Sequence, residues 1–480
     1  MSAGVLRTGP NTRQQRGAAL MVMLIVLVLG FVTLLVKSLT SADIRNERQA
    51  KTSVALAQAR EALIGYAITY GDKPDHLGTV HGYLPCPDID GSNGEGSSIL
   101  TCGTKNVSQI GRLPWKTLGL SPLRDGDSEC LWYAVSGTYK DNPKTDLMNW
   151  DTNGQLQAYA ADGTRLDSSN NQVVAVIIAP GAAQSGEDRS GTGAPICGGN
   201  YTAAAYLDND TVHTINNADV ATGKFIQGER NGLVNDNMVF ITRQDLWNAM
   251  LKRSDFTNTL KLLTQRTAEC LADYGRNNNS GSSNKSLPWP ALISLSDYSV
   301  NTNYDDKDYS DGGGRYYAGR VPYRVNTSRS NSDNAIPSPY YLMTNNGLAC
   351  PSSSSSNAEL QRLYPWWDNW KDHLFYALSR EYRPSTGSTD SCGDCVEIDG
   401  SGNYAAVVMF AGSSLSTQPR ASTTTTNSER GVLSNYLEGR NESNQPNYGG
   451  NDNYQTDAAS TTFNDVLYCI KTDLNVIECP

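Results

Sequence analysis

The sequence predicts an α+β protein with a long N-terminal transmembrane and stalk helix followed by two antiparallel β-sheet units. The first observation behind this prediction is an uncharged, mostly apolar run of 19 residues near the N-terminus, 18–36. The second is a series of short apolar runs after residue 72, bounded by proline and glycine, as β-strands are. The third is the return of the same short segments, in the same order, in the second half of the chain.

The apolar run follows three arginines and Gly17. As a helix, 18–36 would be roughly 28 Å long, close to the ~30 Å hydrocarbon thickness of a bilayer. No proline interrupts the chain from there to residue 70, and Gly71 and Pro74 then supply stop signals. The sequence therefore predicts one transmembrane and stalk helix over 18–71.

Two other interpretations of this segment stay open. A secretory signal peptide could be cut after the small residues 40–42, although its apolar core would be longer than usual. An uncleaved inner-membrane anchor would also fit, because the three arginines would remain on the cytoplasmic side.

A basic leader, a glycine, an immediate apolar span and an amphipathic continuation resemble the type IV pilin and type II secretion pseudopilin families. The resemblance implies that a prepilin peptidase removes the leader 1–17 by cutting between Gly17 and Ala18. It also implies a single-pass inner-membrane protein with a periplasmic head, whose helix later packs among other pilin or pseudopilin subunits in an extracytoplasmic filament.

Position 22 departs from the family pattern. Pilins usually carry a glutamate at the fifth mature position, where it pairs with the N-terminal amine of a neighbouring subunit. Counted from Ala18, that position is Val22. A subunit with no neighbour above it has no use for the pairing, since an unpaired buried carboxylate is costly. Val22 therefore indicates a minor subunit at the filament tip.

The remainder of the chain is predicted to form two pilin-like heads, 72–253 and 254–480. In the first head, 173–179 and 238–242 are predicted strands. The second head begins with a helix-compatible stretch, 256–274, and repeats the first head's segments. Gly319-Arg320, for example, repeats Gly111-Arg112. The alternative is one large domain whose strands share only their apolar composition.

The even number of cysteines predicts a disulfide framework in an oxidising compartment. Cys392 and Cys395 are spaced like half a zinc site or a redox motif, but a local disulfide is the favoured interpretation. Four cysteines fall in the first half and six in the second, so we expect bridges within each half. The cysteines are Cys86, Cys102, Cys130, Cys197, Cys270, Cys350, Cys392, Cys395, Cys469 and Cys479.

Two acidic loops are candidate calcium sites, and calcium is the one cofactor that the sequence suggests. Carboxylate and amide oxygens at alternating positions beside glycines suit calcium, although such clusters are also ordinary solvated turns. The first loop contains Asp88, Asp90, Asn93 and Glu95, and the second contains Asp305, Asp306, Asp308 and Asp311.

Composition and motifs exclude several functions. With a net charge of −10 and 18% charged residues, the chain has no general basic field for nucleic acid. It has no Gly-x-Ser-x-Gly elbow and no His-Glu-x-x-His motif, so we expect no enzyme activity. We expect a minor pilin or pseudopilin-like tip subunit that initiates assembly or adheres to a surface or protein ligand. The alternative is an inner-membrane-anchored periplasmic enzyme or binding protein.

Overall fold

The computed structural model describes residues 15–191, 193–228, 234–277, 285–306, 317–325, 340–344, 348–384, 392–393, 395–443 and 452–480. The helices are α1 (Gln15–Ile68), α2 (Arg243–Leu251), α3 (Ser254–Asn277), α4 (Ala358–Trp370) and α5 (Arg440–Ser443). The strands of the first half are β1 (Gln109–Arg112), β2 (Trp132–Val135), β3 (Gln157–Tyr159), β4 (Val173–Ala179), β5 (Asn209–Asp210), β6 (Ile215–Asn216), β7 (Lys224–Ile226) and β8 (Asn237–Thr242). Those of the second half are β9 (Ala318–Arg320), β10 (Arg324–Val325), β11 (Tyr340–Tyr341), β12 (Leu374–Leu378), β13 (Val396–Ile398), β14 (Ser401–Phe410), β15 (Asn453–Tyr454), β16 (Val466–Lys471) and β17 (Val476–Glu478).

The first half is built on a four-stranded antiparallel sheet in the order β1-β2-β4-β8. Its central strand β4 is apolar throughout and all seven of its residues are buried. This confirms the predicted strand at 173–179. An apolar strand without alternation is expected where a sheet is covered on both faces. We call this sheet and the C-terminal part of α1 the first unit.

The second half contains an equivalent antiparallel path, β9-β12-β14-β16, with β17 added beside β16. We call this path and α3 the second unit. The register also agrees between the units. Gly111 pairs with Tyr133 and Arg112 with Trp132, while Gly319 pairs with Tyr376 and Arg320 with Phe375.

Helices α1 and α3 cover one face of their respective sheets and share a single apolar core. Leu56, Ala59, Leu63 and Ala67 recur at steps of three and four along α1 and are buried. Leu260, Leu263 and Leu271 of α3 belong to the same cluster, together with residues of both sheets. The predicted division into domains at residue 254 stays a prediction, because one core includes both units.

The structure corrects the predicted helix. Within the described part of the chain, no helix combines the length and apolar character needed to cross a bilayer. Helix α1 is continuous over Gln15–Ile68, but its C-terminal part, with Leu56, Leu63 and Ala67, is packed into the core and does not form a free stalk. The transmembrane and stalk helix over 18–71 is therefore a wrong prediction, as is the single-pass inner-membrane location that depended on it.

The predicted disulfides are confirmed, because all ten cysteines are paired. None of the five bridges crosses residue 254. Cys392–Cys395 is a local disulfide with a sequence separation of 3. The other bridges are Cys86–Cys102, Cys130–Cys197, Cys270–Cys350 and Cys469–Cys479.

Candidate functional site

Each unit buries an arginine at the end of its edge strand. The Arg112 guanidinium donates hydrogen bonds to the carbonyls of Gly198 and Asn200 and lies 4.9 Å from the ring centroid of Tyr206. Arg112 pairs with Trp132, and Arg320 pairs with Phe375 at the same register position of the second sheet. Because side chains alternate between the two faces of a strand, the two arginines lie on equivalent faces of their sheets. These arginines organise the loops outside each sheet.

In the second unit, the equivalent Arg320 donates to the carbonyls of Ile293, Asp372 and Arg430. It lies 5.2 Å from the ring of Tyr436. The two tyrosines thus occupy equivalent places, each next to a buried guanidinium in a position that favours a cation–π contact.

A second arginine lies near the same tyrosine in each unit. Arg189 is 5.0 Å from the ring of Tyr206, and Arg420 is 4.8 Å from the ring of Tyr436. Arg189 forms ion pairs with Glu187 at 2.5 Å and Glu129 at 3.3 Å, both within the first unit.

A pair of acidic residues follows this tyrosine in each unit. In the first unit, the backbone N–H of Asp208 donates to Asp236 Oδ2 at 2.9 Å, and that of Asp236 donates to Asp208 Oδ2 at 2.7 Å. Gln184 donates to Asp208 Oδ1 and Asn217 donates to Asp236 Oδ2, both at 2.7 Å.

The second unit repeats this arrangement. The backbone N–H of Glu438 donates to Asp465 Oδ2 at 3.1 Å. Gln418 donates to Glu438 Oε1 at 2.8 Å and Asn441 donates to Asp465 Oδ2 at 3.0 Å. We call Asp208–Asp236 and Glu438–Asp465 the two acid pairs.

Both side chains of each acid pair are buried, and the pKa of one member, Asp236 or Asp465, is raised strongly. Burial raises the pKa of Asp236 well above its usual range, and the neighbouring Asp208 raises it further. Burial also raises the pKa of Asp465 well above its usual range, and the neighbouring Glu438 raises it further. Since two adjacent carboxylates cannot both ionise cheaply, the raised pKa values favour the protonated form of Asp236 and Asp465.

The two units meet where the segment 147–153, here called the junction loop, enters the second unit. The backbone N–H of Asn153 donates to the carbonyl of Ser422 at 3.1 Å, and that of Ser422 donates to the carbonyl of Asp151 at 2.9 Å. The Asn149 side chain donates to Asn369 O at 2.8 Å and to Asp372 Oδ1 at 3.0 Å.

The junction loop completes a buried cluster of charges. Asp151 Oδ2 lies 3.0 Å from His373 Nε2, and Asp151 Oδ1 lies 3.5 Å from Arg420 Nε. His373 Nδ1 is 2.9 Å from Asp372 Oδ1, and Arg430 pairs with Asp372 Oδ2. All five side chains are buried, so the charges compensate one another without water.

The surrounding cations keep both carboxyl groups ionised. Burial alone would raise the pKa of Asp151, but Arg420 and His373 outweigh it and lower that pKa. Burial also opposes the ionisation of Asp372, and His373 and Arg430 overcome it, so that its pKa falls well below the usual range. The cluster is an ion-pair network between the two units.

Asp151, Asp372 and His373 also place their ligand atoms within 4.8 Å of one another, as a metal site requires. The donor set nevertheless fits ion pairs better than a cation. His373 Nε2 lies 2.8 Å from the Trp150 indole nitrogen and 3.0 Å from Asp151 Oδ2, and Arg430 pairs with Asp372. A divalent cation would also have to approach two buried guanidinium groups.

The first candidate calcium loop is organised by hydrogen bonds. Asp88 accepts hydrogen bonds from the backbone N–H groups of Gly91 and Gly96, at 2.9 and 2.7 Å. Asp90 accepts one from Ser92, Asn93 donates to Ser98 O, and Glu95 accepts from Ile196 and Cys197. Each of the four side chains thus has a role in shaping the loop, and calcium binding stays a prediction.

The second candidate loop is described only in part. Asp305 forms an ion pair with Arg324 and Asp306 is buried. Asp308 and Asp311 lie outside the described residues. Of the processing and filament-core residues, Gly17 and Ala18 lie in α1, and Val22 follows them with 61% of its surface exposed.

Asp151, Asp372 and His373 were not predicted from the sequence as site residues. A signal for them was present in the repeat, since Gln184 and Arg189 recur as Gln418 and Arg420. In the first unit Arg189 pairs with Glu187 and Glu129, whereas among the described residues Arg420 forms its ion pair with Asp151. That difference points to a partner elsewhere in the chain.

Comparison of the chain with models of known protein families, with curated proteins and with solved structures gives no match. The fold and the site themselves define the class of protein. It is an α+β protein of two units with equivalent sheets and equivalent acid pairs, joined by one buried ion-pair network.

The acid pairs predict how stability depends on pH. The native state keeps a proton on Asp236 and Asp465 that the unfolded chain releases near pH 4. The contribution of Asp236 and Asp465 to the free energy of unfolding is therefore fully present below about pH 4. This contribution is lost as the pH rises through their raised native pKa. Asp236→Asn mimics the protonated group and should raise the free energy of unfolding at pH 8 by about 1 kcal/mol or more.

Urea unfolding of the parent, Asp236→Asn and Asp465→Asn at pH 4 and pH 8 measures this effect. Asp43→Asn, at an exposed position of α1, is the control and should change neither value. If Asp236→Asn and Asp465→Asn are equally destabilising at both pH values, the acid pairs do not hold protons.

The buried cluster of charges at the junction loop predicts that removing one ion-pair partner lowers the free energy of unfolding strongly. Asp372→Asn leaves Arg430 buried beside an uncharged amide, which should lower the free energy of unfolding by about 3–5 kcal/mol. Asp399→Asn is the matched control, because its pair with Arg440 leaves both side chains 44% exposed. We expect it to cost less than about 1 kcal/mol. Chemical denaturation measures both, and equal losses would contradict a junction role for Asp372.

Proposed function

We propose that this chain is a minor subunit of a type IV pilus or type II secretion-type filament and occupies the filament tip. The observation that carries the proposal is the apolar segment 20–34 of α1. Its large apolar side chains are all exposed, from 46% at Val32 to 72% at Leu20. A helix that is apolar on all sides is stable only when it is buried, so other subunits would have to surround it.

The position of this segment supports assembly through helix packing. Segment 20–34 belongs to the same helix whose last turns are packed against the sheets of the first unit. Partners that bind this segment would therefore hold the two sheet units, here called the folded body, in a defined orientation. The partners of this proposal are other pilin or pseudopilin subunits, and a prepilin peptidase acts before them between Gly17 and Ala18.

Two further features support a place at the tip. Val22 offers no carboxylate to a neighbouring N-terminal amine, so a neighbour above it gains nothing from that position. The folded body comprises two sheet units instead of one, which is bulky for a repeated position along a thin filament. The five disulfides suit assembly in an oxidising environment. The proposal gives the chain a structural role in assembly initiation or adhesion and no catalytic role.

The proposal predicts that a charge in the apolar segment blocks incorporation into filaments and leaves the fold intact. Leu27→Glu should reduce incorporation about a hundredfold, because burying an unpaired carboxylate costs about 3 kcal/mol. Its side chain is 65% exposed in the single chain, so the thermal stability of the folded body should not change. Quantitative immunoblotting of sheared filaments measures incorporation.

Leu100→Glu is the matched control, because Leu100 is a leucine of similar exposure (76%) on the folded body. It should be incorporated like the parent. Immunogold labelling of the parent should mark one end of each filament. Normal incorporation of Leu27→Glu would contradict the filament role, and labelling along the shaft would contradict the tip position.

A further inference from the structure

The outer edge of β8 in the first unit is equivalent to the edge of β16 that β17 covers in the second unit. Strand β8 ends its sheet, and among the described residues no strand pairs with its other side. Strand β16 pairs with β14 on one side and with β17 on the other. The second unit therefore shows what a strand at this edge looks like.

The register fixes this equivalence residue by residue. The ladders β4–β8 and β14–β16 both have a register shift just before the last residue of the outer strand. Counted from that shift, Phe240 of β8 corresponds to Cys469 of β16. The acid pairs agree with this alignment, since Asp236 then corresponds to Asp465.

Alternate residues of β16 direct their backbone groups toward β17. The N–H of Lys471 donates to the carbonyl of Asn475 at 2.8 Å. The carbonyl of Leu467 accepts a hydrogen bond from the N–H of Cys479 at 3.2 Å. Because hydrogen-bonded positions alternate along an antiparallel pair, Cys469 also faces β17. The corresponding residues of β8 therefore face outward.

These outward residues of β8 are Met238, Phe240 and Thr242, and only part of their backbone is occupied. The carbonyl of Phe240 accepts a hydrogen bond from Arg60 Nε at 3.2 Å. The N–H of Thr242 donates to Asp245 Oδ2 at 3.0 Å. Within the described part of the chain, both backbone groups of Met238 and the N–H of Phe240 have no partner outside the sheet. Such an unpaired edge is a template for another strand.

Side-chain exposure shows the same difference between the units. Beside β17, Tyr468 and Cys469 are 8% and 0% exposed, whereas the corresponding Val239 and Phe240 are only half-buried. A disulfide from Cys469 to Cys479 holds the β17 segment in place. The residues that follow β8 instead form α2, which begins with a capping box. They therefore cannot supply a strand equivalent to β17.

We propose that the outer edge of β8 binds an extended segment of a partner protein as an added antiparallel strand. This segment is apolar at the residue opposite Phe240, as Ile477 is opposite Cys469 in the second unit. Its backbone pairs with Met238 and Phe240, and Arg60 leaves the Phe240 carbonyl to make room. In strand addition, main-chain hydrogen bonds give affinity and alternate side chains give specificity. The proposal goes beyond the filament role and does not depend on it.

Disulfide trapping on the full chain tests the proposal. Phe240→Cys places a thiol where the second unit has Cys469. The probe is a synthetic peptide with the sequence of residues 473–480, whose Cys479 is activated as a mixed disulfide with thiopyridine. The introduced thiolate attacks the peptide sulfur, forms a protein–peptide disulfide and releases the thiopyridine. The native cysteines do not compete, because all of them are paired.

A second peptide, which carries Ile477→Pro, separates strand addition from simple thiol exposure. Proline cannot donate the strand hydrogen bond, so we expect Phe240→Cys to react at least about tenfold faster with the first peptide than with the second. Leu100→Cys is the control, because Leu100 is 76% exposed and lies outside the strands. It should react equally with both peptides.

Equal rates of Phe240→Cys with the two peptides would overturn the proposal. A disulfide-linked dimer of Phe240→Cys that forms in preference to the peptide adduct would overturn it as well, because a second copy of this chain would then occupy the edge.

Amide hydrogen exchange of the parent chain tests the same edge without any substitution. Resolved to single residues, the N–H of Phe240 should exchange at least about tenfold faster than that of Cys469, because only Cys469 has a strand beside it. Equal protection of the two amides would show that the chain itself already covers the edge of β8, and would overturn the proposal.

Discussion

One buried ionic contact, that of Asp151 with Arg420 and His373, fixes how the two units meet beside their shared apolar core. Asp151 arrives on the junction loop of the first unit, and its partners belong to the second. None of these side chains reaches water, so their charges must be compensated by one another. The backbone hydrogen bonds of the junction loop and its contact with Asn369 keep the carboxylate in place.

The same arginine position serves different purposes in the two units. Arg189 completes the first unit by pairing with Glu187 and Glu129. Arg420 packs on the equivalent tyrosine ring but takes its carboxylate from the other unit. In a repeated structure of this kind, an interface can form when the carboxylate that pairs with a buried arginine comes from the other unit.

Much of the sheet architecture could be predicted from the sequence, because apolar runs and turn residues are local signals. The strand at 173–179 and the repeat of Gly111-Arg112 as Gly319-Arg320 are examples, and the structure places both glycine–arginine pairs in the same register. Local signals do not show what lies beside a side chain in space. For that reason Asp151, Asp372 and His373 were missed. The continuous helix was predicted well, since α1 covers Gln15–Ile68. The stalk prediction failed because a helical pattern cannot show that residues 52–67 are packed into a core.

The most direct test of this account is hydrogen–deuterium exchange of the two central strands, β4 and β14, in increasing denaturant. All of β4 and residues 404–410 of β14 are buried, and the two strands belong to different units that share a core and a junction. The account predicts that peptides from the two strands lose protection at the same denaturant concentration, in one cooperative transition. Loss of protection at two clearly separate concentrations would show that the units unfold independently, and would contradict the account.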